Sequence, residues 1–335
     1  MNRRMPSPGR RLIILGALAV TVTGCASTGP ADAGPDPGND SSAYPVTVEN
    51  CGEKVVFETA PQRVVLLESA PVTVLDGLGV LDRVVSRAGA FSPEYYDADL
   101  AQRIEGIEML SEDIDASGHL MINAEAVIAQ KPDLVLGLPE GLTREGLRDS
   151  GANTLVHPVF CGSGVGAASF QSLYELILLY GEIFDRAVQA EQLVTELDER
   201  VADVERRTAD PPPRTAAVLY PSTGGGPVYA YGRASMSQPQ LEAAGFTNVF
   251  ADIPERVFEV SIEELLHENP DVLILLHQGE DTGVLEAITN LPGGGTLQAV
   301  RNGDTLVQLF NFTEPPTPLS VVGLERIVDR FGTGS

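Results

Sequence analysis

Tryptophan is absent from this chain, and of its 22 basic residues only two, Lys54 and Lys131, are lysine. That bias reads as the mark of a GC-rich genome and says nothing of function. Against the 22 stand 47 acidic residues, for a net charge of −25. So acidic a chain is poorly suited to nucleic acid, whose phosphates need Lys and Arg, or to adsorption on anionic lipid. The charge suits solubility and favours cationic ligands or a basic docking face, though most of it reads as solvated surface. No apolar run reaches ~18 residues, which argues against a permanent transmembrane helix. The four histidines, His119, His157, His267 and His277, stand singly. Neither a C-x-x-C pair nor a metal knuckle occurs among the three cysteines. Gly224-Gly225-Gly226 and Gly293-Gly294-Gly295 lack the Gly-Lys-Ser/Thr of a phosphate loop and read as turns, and neither G-x-S-x-G nor H-E-x-x-H is present.

The amino terminus carries a specific signal. MNRRMPSPGRR is basic, LIILGALAVTV is apolar, and Val22-Thr23-Gly24-Cys25 follows. That order matches a secretory signal over residues 1–24. A small residue and then Cys resembles a bacterial lipobox, which makes Cys25 the lipidation site. An ordinary signal peptide that happens to contain Cys is the alternative. Arg10-Arg11 hints at twin-arginine export, but its flanks match poorly, so the route (Sec or Tat) stays open. Loss of the leader removes four Arg and no acid, leaving the body more negative still. Cys51 and Cys161 then remain. In an oxidising exported compartment they have one possible intramolecular bridge, the alternative being two free buried thiols.

Residues 25–44 are Gly, Pro, Asp, Ser and Ala without apolar period, and read as a tether. The folded body is expected from about Val46. Arg63–Leu67, Val84-Val85, Leu134–Leu136, Thr154–Val156 and Ala216–Tyr220 read as strands, with a short helix over Thr73–Leu81. Strands alternating with short helices argue for parallel α/β sheets. From Asp185, Ala187, Ala190, Val194, Leu197, Val201 and Val204 recur at steps of three and four. The spacing predicts an amphipathic helix over 185–208, capped by Asp185 and ended by Pro211-Pro212-Pro213. The chain thus divides into an α/β lobe at 45–184, the helix, and a second α/β lobe at 209–335.

One sentence is written twice. NAEAVIAQKPDLVLG (123–137) and SIEELLHENPDVLIL (261–275) share a small polar residue, Glu two places on, an apolar-periodic stretch, then x-Pro-Asp and an apolar run. Asn123 and Ser261 are N-caps whose helices should begin at the next residue. Glu125 and Glu263 then fall at the second helical position, where the helix dipole favours acids. Glu264 completes a capping box with Ser261, leaving Glu263 to point outward.

The lipobox, the P-x-R-V-V strand opening, paired lobes across one long helix, and E-x-[IVL]-x-x-x-x-P-D in each lobe resemble the substrate-binding proteins of iron-siderophore and cobalamin ABC importers. The resemblance covers Tyr44 to the carboxyl end. It implies two Rossmann-like lobes with parallel sheets, a stiff interlobe helix, and a ligand cleft between the lobes. It also implies that Glu125 and Glu263 pair with Arg residues of a permease dimer. The cargo would be a ferric siderophore, with cobalamin or haem in the same fold as the alternative. Iron is expected only inside a chelate, not as a cofactor and not ligated by the protein. The protein would be a lipid-anchored monomer on the outer face of the membrane, touching the bilayer through its acyl group alone.

Loops in register with such a cleft carry Glu68, Arg87, Tyr95, Tyr96, Tyr220, Tyr229, Tyr231, Arg233, Met236, Arg256, Phe258, Phe310 and Phe312. Tyrosine combines a flat apolar face with a hydroxyl, which suits a bulky chelate with polar edges. The three arginines suit carboxylate or catecholate oxygens. A receptor for bare zinc or manganese would cluster His with carboxylates, and no such cluster is written here. An enzyme or a structural envelope protein on the same scaffold is the remaining reading; the lack of a convergent acid, base or nucleophile counts against the enzyme.

Overall fold

The computed structural model describes residues 44–114, 120–162, 166–209 and 214–332. The proposed leader, Cys25, nearly all of the tether, His119 and Pro211–Pro213 lie outside them. An antiparallel hairpin opens the body, β1 (Val46–Asn50) against β2 (Glu53–Phe57). Its turn needs positive φ at both central residues, which Cys51 and Gly52 supply. Then come β3 (Val64–Leu66), α1 (Val72–Gly77), β4 (Val84–Ala88), α2 (Ala98–Glu105), β5 (Glu108–Ser111), α3 (Ala124–Ile128), β6 (Leu134–Leu136), α4 (Arg144–Asp149) and β7 (Asn153–Leu155). Strands β3 to β7 form a wholly parallel sheet in the order β5-β4-β3-β6-β7.

Two helices follow, α5 (Phe170–Phe184) and α6 (Ala187–Arg207). The second is the expected interlobe rod, about 32 Å long at 1.5 Å per residue. Asp185 does not cap it. That residue adopts the left-handed conformation and ends α5, while Arg186 precedes α6 without a side-chain cap. α5 has a wide apolar face and a narrow exposed stripe of Gln171, Glu175, Leu178 and Glu182, and the tight α5–α6 corner consumes the residue that reads as a cap.

The second half contains β8 (Arg214–Pro221), β9 (Val228–Tyr231), α7 (Ser237–Ala243), β10 (Phe246–Asn248), β11 (Val257–Val260), α8 (Ile262–Glu268), β12 (Val272–His277), α9 (Val284–Thr289), α10 (Gln298–Asn302), β13 (Thr305–Leu309) and α11 (Pro318–Phe331). Its sheet runs β11-β9-β8-β12-β13, with β10 alongside the start of β8. This sheet is mixed, not all-parallel as expected: β9 runs antiparallel to β8, and β11 antiparallel to β9. The short connection after Pro221 turns the chain straight back, and a hairpin can only be antiparallel.

Successive residues of the central strands face opposite ways, and both sides are buried. Val64 and Leu66 of the first sheet, with Ala216, Val218, Val272 and Ile274 of the second, face one shared core. Leu173, Ile177, Phe184, Leu197, Val201, Leu324 and Ile327 of α5, α6 and α11 fill it. Val65 and Val135 face a separate core on the outer side of the first sheet, and Ala217, Leu219, Leu273 and Leu275 face another on the second. At Gly181 of α5 an added Cβ would sit 2.5 Å from the Cβ of Ala190, so the two helices approach as closely as glycine permits. Arg200 of α6 grips Glu325 of α11 through two parallel bonds of 2.8 and 2.9 Å. Both sheets belong to one compact unit.

The repeated sentence has a mechanical meaning. Asn123 and Ser261 cap α3 and α8 by accepting from the Ala126 and Glu264 amides. Each helix is short, and x-Pro-Asp then reverses the chain through a left-handed residue, Lys131 or Asn269. The aspartate then anchors the start of the neighbouring central strand. Asp133 accepts from the Gln62 and Arg63 amides at 2.7 and 2.9 Å, and Asp271 from the Thr215 amide at 2.8 Å. Asp133→Ala and Asp271→Ala should each cost about 1–3 kcal/mol, nearly additively because they serve different sheets, as measured by urea unfolding.

Candidate functional site

The carboxyl ends of the parallel strands of both sheets open onto one cavity of about 690 Å³. From the first sheet come Leu67–Ala70 after β3, Gly89, Ala90 and Ser92 after β4, Gly137–Glu140 after β6 and Val156 after β7. The second contributes Tyr220, Tyr229 and Tyr231 from the β8–β9 hairpin, Arg256 before β11, Gln278 after β12 and Phe310-Asn311 after β13. Crevices beyond strand carboxyl ends are where open α/β sheets bind ligands.

Aromatic rings supply much of the wall. Tyr220 and Phe310 meet edge to face at 6.0 Å. Tyr229 and Phe160 remain the most exposed, at 38% and 40%. Phe160 is placed by the Cys51–Cys161 disulfide, which joins the β1–β2 turn to the segment after β7. Asn50 reinforces that junction, donating to the Val156 carbonyl and accepting from the Val156 amide, both at 2.8 Å.

The floor is a crossing point between the halves. The Asn311 amide donates to the Tyr95 hydroxyl, and its side chain donates to Ser69 Oγ, both at 3.0 Å. His157 Nε2 lies 3.0 Å from the Pro316 carbonyl. Burial lowers its ring to about 4, so it is neutral at physiological pH and serves as a donor there. Glu314 is fully buried; one oxygen accepts from the Met236 amide at 2.7 Å and the other from Arg256 at 3.2 Å. Desolvation raises its carboxyl, while Arg256 and the Met236 amide pull it down. Since both oxygens act as acceptors, the geometry holds the carboxylate. Arg256 is thereby committed, and also stacks over Phe160 at 5.5 Å.

Glu68 faces the cavity with no ion pair or hydrogen bond among the described residues. Desolvation alone raises its carboxyl from 4.5 to about 7. Its neighbour across the sheet is Gly137, at φ 98°, where an added Cβ would lie 3.3 Å from Glu68 Cγ. No group of three or more His, Cys, Asp or Glu among the described residues is arranged to hold a bare metal ion.

Residues 64–307 match the model of the family described as periplasmic binding protein. The chain belongs to that family. A crystal structure described as an ABC-type Fe3+-hydroxamate transport system, from Saccharomonospora viridis DSM 43017, is 57% identical, with a TM-score of 0.82 over 87% of this chain and all of that one. An uncharacterized ABC transporter substrate-binding lipoprotein of Bacillus subtilis (strain 168), YvrC, is 23% identical over 85% of this chain and 84% of its own length. The periplasmic heme-binding protein RhuT of Roseiflexus sp. RS-1, in apo form, shares the fold at 20% identity and TM-score 0.64, covering 81% and 98% of the two chains. These neighbours are transport binding proteins rather than enzymes. No helix among the described residues is long and apolar enough to cross a membrane.

In this periplasmic binding protein the residues expected at the cleft divide into two groups. Glu68, Tyr95, Tyr220, Tyr229, Tyr231, Arg256 and Phe310 line the cavity. Arg87 does not: it donates to the Ile104 carbonyl and stacks on Phe91, tying β4 to α2. Tyr96 packs against Tyr95, and Phe312 behind Tyr95 at 5.3 Å, under Arg326. Met236 is fully buried, Phe258 packs on Phe250, and Arg233 is exposed outside the lining. Sequence reasoning missed Gly137–Glu140, Gln278, Phe160 and the Glu314 carboxylate. The first two directly follow Leu134–Leu136 and the β12 run, so the strand-end rule would have found them; nothing local marks Glu314. Glu125 and Glu263 are exposed in the first turns of α3 and α8.

Because the folded state holds Glu68 above its ordinary value, it binds more protons than the unfolded chain between pH 4.5 and 7, and stability falls as pH rises through that window. Glu68→Gln should therefore raise Tm by about 2–4 °C at pH 8 and leave it nearly unchanged at pH 4, read by calorimetry.

Proposed function

We propose that this chain is an extracytoplasmic receptor that binds a ferric siderophore of the hydroxamate class in the cavity and delivers it to an ABC importer. The observation that carries the reading is the cavity itself: about 690 Å³ between two sheets, walled by tyrosines and phenylalanines. That volume lies within the range of small-molecule sites, and tyrosine suits a ligand with an apolar body and polar edges. The 57% identity to a protein named for Fe3+-hydroxamate transport supports the hydroxamate assignment. Iron enters as part of the cargo, its coordination filled by the chelator. The role is binding and delivery, not catalysis. Anchoring through a lipid on Cys25, with the body acting as a monomer, accords with the lipobox-like leader and with the relative named as a lipoprotein.

The protein has no tryptophan, and four of its eight tyrosines line the cavity, so tyrosine fluorescence is a usable reporter of cavity binding. Titration with ferric hydroxamates, ferric catecholates, ferric citrate, cobalamin and haem should give submicromolar quenching by a hydroxamate. A Soret shift on haem addition, with silence from every ferric chelate, would instead assign Tyr229 or another cavity tyrosine to haem.

Glu125 and Glu263 occupy the same position in the two copies of the repeated unit and are exposed. In this reading they meet paired cationic sites on a dimeric permease, where charge-assisted pairs fix orientation. The double change Glu125→Lys with Glu263→Lys should abolish uptake of the ferric chelate in cells while its affinity for the purified protein stays within about twofold. Loss of affinity would refute the docking role.

A further inference from the structure

Among the described residues, the cavity lining offers acids without a free cation to meet them. Among those residues the lining includes one basic residue, Arg256, and that guanidinium is already held at 3.2 Å by the buried Glu314 carboxylate. The other arginines that the sequence offered for anionic ligand oxygens lie elsewhere, Arg87 on the Ile104 carbonyl and Arg233 outside the lining. Two acids line the cavity without a cationic partner among the described residues: Glu140, exposed at its edge, and Glu68, in its wall. Glu68 follows the central strand β3 directly, backed by the left-handed Gly137. A carboxyl carried through folding into such a place, with neither hydrogen bond nor counter-ion, is a desolvation cost that an ordinary Ser or Gln would avoid.

We infer that the cavity selects a chelate bearing a positive charge, and that Glu68 is the residue that receives its cationic group. This rests on the ferric hydroxamate reading above and narrows it. Three monoanionic hydroxamates cancel the charge of Fe3+, so such a chelate is neutral at its metal centre and becomes cationic when its backbone ends in an ammonium. Catecholate complexes of Fe3+ are strongly anionic, and would bring negative charge against two acids with no free arginine among the described lining residues to meet it. The raised carboxyl of Glu68 is the state expected of an acid awaiting a cation: an arriving ammonium returns it to the carboxylate. The net charge of −25 draws cations to the protein as a whole and acts in the same direction.

The test compares two ligands that share one iron centre. Ferrioxamine B, a linear ferric trihydroxamate with a free amine, and its N-acetylated form are titrated into the unmodified mature protein by tyrosine fluorescence. The amine form should bind at least about tenfold tighter, as expected for one charge-assisted hydrogen bond, and Glu68→Gln should close most of that gap. Equal affinities for the two forms in the unmodified protein would overturn the inference while leaving the hydroxamate receptor intact. So would a preference undiminished by Glu68→Gln, or tighter binding of a ferric tricatecholate. Binding of neither hydroxamate would overturn both the inference and the reading beneath it. The ligand comparison requires no variant, so a poorly folded Glu68→Gln protein would not blunt it.

Discussion

The architecture depends on one apolar core shared by both sheets. Each sheet turns one face toward α5, α6 and α11, and those helices are packed so closely that Gly181 cannot carry a side chain without displacing Ala190. Burying a Val, Leu or Ile side chain contributes about 1.5–3 kcal/mol, and moving the sheets apart would re-expose many of them together. The cavity between the strand ends is therefore held at nearly fixed width by the packing behind it. Three cross-connections at its floor act in the same sense: Asn311 to Tyr95, Asn311 to Ser69, and His157 to Pro316. Recognition in such a body lies in side chains and loops, not in the closing of a hinge.

Much of the fold is legible because its determinants are local. The strand runs at 64–66, 134–136 and 216–219 are continuous β-branched or aliphatic segments, and strands buried on both faces read that way. The twin Asn123 and Ser261 caps are legible for the same reason, since a cap is settled within four residues. What went unread was α5 and the antiparallel turn of β9. The first has a wide apolar face with only a narrow exposed stripe of Gln171, Glu175, Leu178 and Glu182, and the second is a hairpin whose partner strand is fixed by tertiary contact. The anchoring role of Asp133 and Asp271 also stayed hidden, because their partners lie 70 and 56 residues away in sequence.

The site was legible by loop and not by side chain. Strand ends can be counted from sequence, and most of the aromatic lining followed from that. The direction of an individual side chain depends on neighbours from other elements. Arg87 and Arg256 look alike in sequence, yet one spans to a helix carbonyl and the other meets a carboxylate 58 residues away. Tyr95 and Tyr96 are adjacent, and only the first reaches the cavity.

One arrangement has a bearing on how the protein matures. Phe160, among the most exposed rings of the cavity wall, sits beside Cys161, whose bridge to Cys51 fastens that segment to the opening hairpin. Closing a loop of 110 residues restricts the unfolded chain far more than the folded one. The same bond that secures the fold thus also finishes the recognition surface, and it does so only after the chain has reached a place where thiols are oxidised. The fastening of that wall is in this way tied to address: a copy retained among reducing thiols would lack it.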